Sequence, residues 1–153
     1  MKMPSLMRQV SIIFRCASMF RGDKLKERGS DLGTCHHSYI LLLCRNPGIS
    51  QDAIAKKICI NKSNVTRHMS QLEKLGYVER RQSDEDKRMM LVYPTQKAYD
   101  ALPDVKDIVH EWKEYITEGI SKEELEMATE ILHRMAKRAA EYAARELDSE
   151  DSE

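Results

Sequence analysis

The residues of this chain best suited to recognition chemistry lie on one predicted helix, Lys62–Leu75. At about 100° per residue, Val65, Met69 and Leu72 form one apolar stripe that faces inward. The opposite face carries hydroxyl, amide and guanidinium groups and no acid. Arginine can bridge O6 and N7 of guanine, and Asn or Gln can pair with adenine, so this face suits a major groove. Its residues are Ser63, Arg67, Ser70, Gln71 and Lys74, flanked by Asn64 and Thr66.

A second helix, Gln51–Ile58, is predicted to position the first. Ser50 is an N-cap residue for it, and Asn61 can cap the following helix, so Cys59–Asn61 must be a tight connection. Two capped helices joined by about three residues form a helix-turn-helix.

A hairpin is predicted immediately after this unit. Gly76 stands where a left-handed glycine ends a helix, and Val78–Gln82 and Met89–Tyr93 are strand-like runs around the turn Ser83–Arg88. The turn holds Lys87 and Arg88 beside Asp84, Glu85 and Asp86, so a cation at the tip could reach a minor groove. The alternative interpretation is a surface hairpin with scattered charges.

These residues resemble the winged helix of MarR-type transcriptional regulators. The resemblance is sharp over 49–95 and rests on five features: a Ser50-Gln51 entry, a helix with Ile54-Ala55, the Ser-x-Val-Thr-Arg motif from Ser63 to Arg67, the exit from Leu72-Glu73 to Arg80, and the wing Asp86-Lys87-Arg88. The resemblance implies that the helix Lys62–Leu75 reads the major groove and that Arg88 enters the minor groove, oriented by Asp86. The expected DNA-binding residues are Lys62, Ser63, Asn64, Thr66, Arg67, Gln71, Lys87 and Arg88.

The flanking segments are predicted to be helical. A helix over Met7–Arg28 and a short buried helix over His36–Arg45 precede the central unit. After it, Thr95 is a predicted N-cap for a helix containing Pro103. A capping box beginning at Ser121 then opens a long helix with an apolar stripe.

The first and last helices offer more apolar surface than one small domain can bury, which predicts a two-fold homodimer. The expected fold class is α+β and mostly helical: a winged helix-turn-helix with N- and C-terminal helices forming a dimerisation domain. Two recognition helices about 34–36 Å apart match successive major grooves, so the expected target is a palindromic operator of double-stranded DNA. The predicted divisions are 1–34 and 96–148 for dimerisation, 35–95 for the winged helix-turn-helix, and 149–153 for an acidic tail.

The net charge of zero conceals a strong division along the chain. Residues 1–99 hold 18 Lys and Arg against 9 Asp and Glu, whereas residues 100–153 hold 7 against 16. The basic part contains the helix-turn-helix, so a positive surface for phosphate lies where the motif predicts it.

Four cysteines occur without a C-x-x-C pair, which indicates free thiols. We expect each of them to be buried as a small hydrophobic residue. Cys16 is kept as a candidate redox sensor because peroxide-sensing members of the family carry a reactive cysteine in the first helix. Cys35, His36 and His37 offer possible metal ligands together with His110 and Glu114. Because the His-x-x-x-His pair of zinc-sensing members is absent, we expect no metal and no cofactor.

The leading hypothesis is a DNA-binding transcriptional repressor controlled by a small aromatic or phenolic effector, which the resemblance implies for many members. The alternatives are a redox- or zinc-responsive regulator of the same fold and a winged-helix module that binds protein. An enzyme is not expected, because the chain has no phosphate-cradling glycine loop and no nucleophile elbow. No apolar run approaches the ~20 residues of a membrane helix and no signal peptide is visible, so we expect a cytoplasmic protein without membrane partners.

Overall fold

The computed structural model describes residues 4–150, except for the side chains at 147 and 150. Most of the predicted acidic tail, 151–153, lies outside the described residues. Six helices and three strands occupy the described part of the chain. They are α1 (Leu6–Glu27), α2 (His36–Arg45), β1 (Ile49–Ser50), α3 (Gln51–Ile58), α4 (Lys62–Lys74), β2 (Val78–Gln82), β3 (Met90–Pro94), α5 (Gln96–Ile116) and α6 (Lys122–Glu150).

The two predicted caps of the helix-turn-helix are present. The Ala53 amide donates to Ser50 Oγ over 3.1 Å, and the Asn64 amide donates to Asn61 Oδ1 over 2.9 Å. Each bond satisfies an amide that has no partner within its own helix. Between the two helices, Cys59 has a φ of 58°, which turns the chain from α3 towards α4.

The end of α4 is a Schellman motif, as predicted. Gly76 has a φ of 84°, the Tyr77 amide donates to the Leu72 carbonyl over 2.9 Å, and the Gly76 amide donates to Glu73 over 3.0 Å. Glycine suits this position because a Cβ atom disfavours positive φ.

The wing is part of a three-stranded antiparallel sheet with the order β1-β3-β2. The predicted hairpin is present, with Arg80 opposite Val92, but β3 begins and ends one residue later than predicted. β1, in which Ile49 pairs with Val92, was not predicted from the sequence. Two residues are too few to carry a period-two pattern, so pairing with β3 defines this strand.

Two predictions about helix starts have different outcomes. The capping box is present, because the Ser121 amide donates to Glu124 Oε2 over 2.9 Å and the Glu124 amide donates to Ser121 Oγ over 3.2 Å. Thr95 is the N-cap residue of α5, as predicted, but its side chain accepts no hydrogen bond from the helix. Its hydroxyl instead donates to the Gly76 carbonyl over 2.6 Å.

The core lies beneath the helix-turn-helix. α2 and α5 pack against each other, and the sheet and the inward faces of α3 and α4 complete the layer. No helix in the described part of the chain is long and apolar enough to cross a membrane. The largest fully buried side chains are Tyr39, Ile40, Leu43, Ile54, Val65, Met69, Leu72, Val78, Val92, Val105 and Ile108.

A polar cluster, here named the α4 clamp, holds the end of α4 and consists of Asp31, Tyr77, Thr95 and Lys97. The Tyr77 hydroxyl donates to Asp31 Oδ1, and Lys97 Nζ lies 2.8 Å from Asp31 Oδ2. Lys97 Nζ also donates to the Leu75 carbonyl over 2.6 Å. With the bond from Thr95 to Gly76, this cluster satisfies two carbonyls at the end of α4 and places a cation at its negative pole.

Removing the Tyr77 hydroxyl tests the contribution of the clamp to stability. We expect Tyr77→Phe to lower the free energy of unfolding at neutral pH by about 1–2 kcal/mol, because it removes a hydrogen bond to a charged group at a part-buried site. Hydrogen bonds from Lys97 and Tyr77 lower the pKa of Asp31. The contribution of that carboxylate is therefore present above its unfolded pKa and is lost as the pH falls through the folded value.

Urea unfolding followed by circular dichroism measures the change, with Tyr99→Phe as the matched control because the Tyr99 side chain is exposed on α5. We expect the control to stay within about 0.5 kcal/mol of wild type. Equal stability of Tyr77→Phe and Tyr99→Phe would show that the clamp does not stabilise the fold.

Candidate nucleic-acid interface

α4 buries one face and presents the other. Val65, Met69 and Leu72 are fully buried, as the apolar stripe predicted. The opposite face is open to solvent, and no large hydrophobic side chain on α4 is among the exposed residues in the described part of the chain. Of the predicted DNA-binding residues on α4, Ser63, Thr66, Arg67 and Gln71 are exposed, and Lys62 and Asn64 are partly buried.

The start of α4 is held by short polar contacts. Asn61 Oδ1 accepts a bond from the Ser63 hydroxyl over 3.0 Å in addition to the cap from Asn64. Lys62 Nζ lies 3.5 Å from the Asp52 carboxylate on α3. These contacts orient the N-terminal turn, the part of a recognition helix that enters the groove first.

Thr66 connects the two helices of the motif. Its hydroxyl donates to the Lys62 carbonyl over 3.0 Å and accepts from Gln51 Nε2 over 3.2 Å. Thr66, predicted to flank the outer face of α4, therefore also ties α3 to α4.

Arg67 and Gln71 differ in their freedom to meet a ligand. Within residues 4–150, no hydrogen bond or ion pair holds the Arg67 guanidinium, so its five donors face solvent. Gln71 is exposed overall, but its Oε1 lies 3.3 Å from Nε2 of the buried His36. Gln71 would have to give up this contact in order to pair with a base.

The wing tip has the geometry that the resemblance implied for Asp86 and Arg88. Asp86 Oδ1 accepts from the Arg88 amide over 3.0 Å and from Arg88 Nε over 3.2 Å, while 92% of the Arg88 side chain stays exposed. These bonds, the backbone one first, lower the pKa of the Asp86 carboxyl. Lys87 Nζ lies 3.2 Å from Asp84 Oδ1, so the second predicted cation also has an acidic neighbour.

An ion pair that the sequence analysis missed joins α4 to the wing. Arg80 Nη2 and Nε donate to Glu73 Oε2 over 2.7 and 3.1 Å, and the Arg80 amide donates to Glu73 Oε1 over 3.3 Å. These bonds lower the pKa of Glu73. Both residues belong to the exit motif from Leu72-Glu73 to Arg80, so their spacing was the available signal.

The structure corrects the expectations for cysteine and metal ligands. All four cysteines are free, but Cys16, Cys35 and Cys59 are exposed instead of buried, and only Cys44 is partly buried. The role of Cys16 as a redox sensor stays a prediction. Among the described residues, the metal-ligating atoms that converge are those of Cys35, His36 and His68. His37, His110 and Glu114, which the sequence analysis placed in the set, are not part of this group.

A cavity of about 290 Å³ lies between α1, α2 and the helix-turn-helix. Phe14, Ile58 and Ile60 supply apolar walls, and Arg21 and Tyr39 supply polar ones. Arg21 Nε and the Tyr39 hydroxyl are both buried and find no hydrogen-bond partner among the described residues. Burial lowers the pKa of Arg21 and raises that of Tyr39 to about 12, so the Tyr39 hydroxyl keeps its proton at neutral pH.

Known proteins share both the sequence pattern and the fold. Residues 36–90 match the model of the MarR family. The chain is 24% identical over 135 residues to the HTH-type transcriptional regulator YybA of Bacillus subtilis (strain 168), an alignment that covers 88% of this chain and 89% of that regulator.

Solved structures agree with the fold over nearly the whole chain. The transcriptional regulator SlyA superposes with a TM-score of 0.86 at 24% identity, covering 92% of this chain and 98% of that one. A MarR family transcriptional regulator from Listeria monocytogenes, solved in complex with a 26-mer DNA, superposes with a TM-score of 0.84 at 22% identity and 93% coverage of both chains. Residues 36–90 therefore match the MarR family of transcriptional regulators, and the fold of the described chain is that of the solved MarR-type structures.

Proposed function

We propose that this protein is a sequence-specific repressor that binds a palindromic operator in double-stranded DNA as a homodimer. The observation that carries the proposal is the exposed, acid-free face of α4, with the unengaged Arg67 guanidinium at its centre. A face that docked protein would be expected to present aromatic or aliphatic anchors, and the described part of α4 exposes none.

The wing supports the same function through a different contact. Arg88 is held by Asp86 at the tip and is almost fully exposed, which suits insertion into a narrow minor groove. Glu73 and Arg80 tie the base of the wing to α4, so the two DNA-contacting elements keep a fixed relative position. The basic charge of residues 1–99 surrounds both.

The outer helices support a homodimer. Phe14 on α1 and Met127 on α6 are 68% and 65% exposed in the single chain. A solvent-exposed apolar surface of this extent on two long helices is typical of an interface between subunits. The proposed dimerisation segments are 1–34 and 96–148. The other exposed apolar side chains on these two helices include Leu6, Met7, Val10, Ile13, Ile131, Leu132 and Tyr142.

The 290 Å³ cavity supports regulation by a small aromatic or phenolic acid. Arg21 and Tyr39 offer a carboxylate two donors that nothing else in the described chain occupies, and Phe14 offers an aromatic ring a partner. Because the cavity borders both α1 and α4, an occupant could alter the separation of the two recognition helices and so weaken operator binding.

Arg67 and Arg88 should contribute to DNA binding in different ways. We expect Arg67→Ala to weaken binding to an operator selected from random duplexes by about 10- to 100-fold, because a bidentate contact to guanine is lost. Arg88→Ala should weaken binding to all duplexes and reduce the salt dependence by about one counterion per module. Fluorescence anisotropy at several salt concentrations measures both effects.

Arg45→Ala is the matched control, since Arg45 is exposed at the end of α2, outside α4 and the wing. The control should bind as wild type does, and all three variants should keep the wild-type melting temperature. Unchanged operator binding by Arg67→Ala would show that this face of α4 does not read DNA.

The dimer should depend on the apolar stripe of α6. In analytical ultracentrifugation we expect wild type to have a mass near twice its 17.7 kDa chain mass. Leu132→Glu should be a monomer at the same micromolar concentration, because dimerisation would bury two carboxylates in an apolar interface. Lys137→Glu, on the exposed surface of the same helix, should remain dimeric. A monomeric wild type at micromolar concentration would overturn the homodimer.

Aromatic acids should bind the cavity through Arg21. Calorimetric titration with a panel of hydroxybenzoic and hydroxycinnamic acids should identify a ligand that also releases wild-type protein from its operator. Arg21→Gln should bind that ligand at least about 10-fold more weakly, because a charged hydrogen bond is lost. Arg15→Gln, an exposed position on α1, is the control. Equal affinity of Arg21→Gln and wild type would remove this cavity as the effector site.

A further inference from the structure

Three potential metal ligands meet where α2 begins beside the middle of α4. Cys35 is the N-cap residue of α2, His36 is its first residue, and His68 lies on α4. One ligand atom from each lies within 4.8 Å of the other two, and Cys35 Sγ is 3.8 Å from His68 Nδ1. Since 31 residues lie between His36 and His68 in the sequence, it is the tertiary structure that brings the three ligands together.

One pair of the three ligand atoms, Cys35 Sγ and His68 Nδ1, is spaced nearly as in a tetrahedral metal site, and all three lie within 4.8 Å of one another. Zinc binds sulfur at about 2.3 Å and imidazole nitrogen at about 2.0–2.1 Å, so two ligand atoms in a tetrahedral site lie roughly 3.5 Å apart. The separation between Cys35 and His68 is only a few tenths of an ångström longer. One thiolate and two imidazoles suit zinc and its borderline neighbours, whereas calcium and magnesium prefer oxygen ligands.

Ring contacts orient the two imidazoles. The ring of His68 packs against Tyr39 at 5.2 Å and meets the ring of His36 edge-on at 5.7 Å. Only 5% of His36 is exposed, whereas Cys35 is exposed, so a metal could enter from the cysteine side.

Ligation would change two hydrogen bonds of His36. The Gly33 amide donates to Nδ1 over 3.1 Å, which leaves the ring proton on Nε2, facing Gln71 Oε1 at 3.3 Å. A metal at Nε2 would take the place of that proton, which would move to Nδ1 and end the Gly33 bond. This exchange makes the site weaker than an unconstrained set of the same ligands, and it ends the contact between His36 and Gln71.

We propose that Cys35, His36 and His68 bind one divalent transition metal ion of the zinc class, with the fourth position open to water. The ion would join the start of α2 to the middle of α4. The metal site itself is tested without DNA, so its failure and that of the DNA-binding proposal are distinguishable.

Titration with Co²⁺ tests the site, because thiolate ligation gives a charge-transfer band in the near ultraviolet. The full chain is reduced with a non-thiol reductant, and wild type is expected to develop this band to an end point of one Co²⁺ per chain, with Zn²⁺ abolishing it. Cys35→Ser should lose the band, and His68→Gln should bind at least about 100-fold more weakly. Zinc at about 100 times its dissociation constant should raise the melting temperature of wild type by about 5–10 °C.

Cys59→Ser and His110→Gln are the matched controls, since both positions are exposed and lie outside the trio. They should bind Co²⁺ as wild type does. The proposal is overturned if wild type shows no thiolate band at millimolar Co²⁺, if Cys35→Ser or His68→Gln keeps the wild-type affinity, or if His110→Gln abolishes binding. Cys35→Ala, checked by circular dichroism, serves as a second variant should the serine perturb folding.

Discussion

The one-sided burial of α4 is the constraint on which the rest of the structure depends. A helix that reads DNA must leave one face polar and unengaged, so the opposite face has to supply all of its packing. Val65, Met69 and Leu72 do this by entering the core completely. The ends of the helix are then held by polar contacts, through Asn61 at the start and the α4 clamp at the finish. Position and orientation are thereby set without using the outward face.

A small number of polar contacts also positions the wing. Glu73 lies on the last turn of α4 and Arg80 in the middle of β2, and their paired bonds fix the hairpin relative to the helix. At the far end, Asp86 orients Arg88 without burying it. Both acidic residues hold arginines by short-range bonds, so acids within the basic half of the chain serve geometry as well as charge.

Both proposed ligand sites lie between α2 and α4. The cavity that contains the unpartnered Arg21 and Tyr39 groups is also lined by Cys35 and His68. An aromatic acid in the cavity and a metal on the trio would therefore contact the same side of the recognition helix. Any ligand that binds one arrangement of this region more tightly than another shifts the population of the whole helix-turn-helix.

Local signals explain why so much of the fold could be predicted from the sequence. The bounds of α2, α3 and β2, the caps at Ser50 and Asn61, and the glycine end of α4 all depend on residues within about five positions of one another. Such features follow from hydrogen bonds between near neighbours and from apolar periodicity, and both can be read from the sequence. The charge division between the two halves is likewise a property of the sequence alone.

Only the tertiary structure decided the features that depend on distant partners. Pairing with β3 makes Ile49 part of a strand, and the nearby Gly76 carbonyl draws the Thr95 hydroxyl away from its own helix. Packing of α2 on α4 brings His68 to Cys35, a pair that no spacing rule links. Each outcome is set by which groups the completed core brings within bonding distance, and that information is not held in any short stretch of the chain.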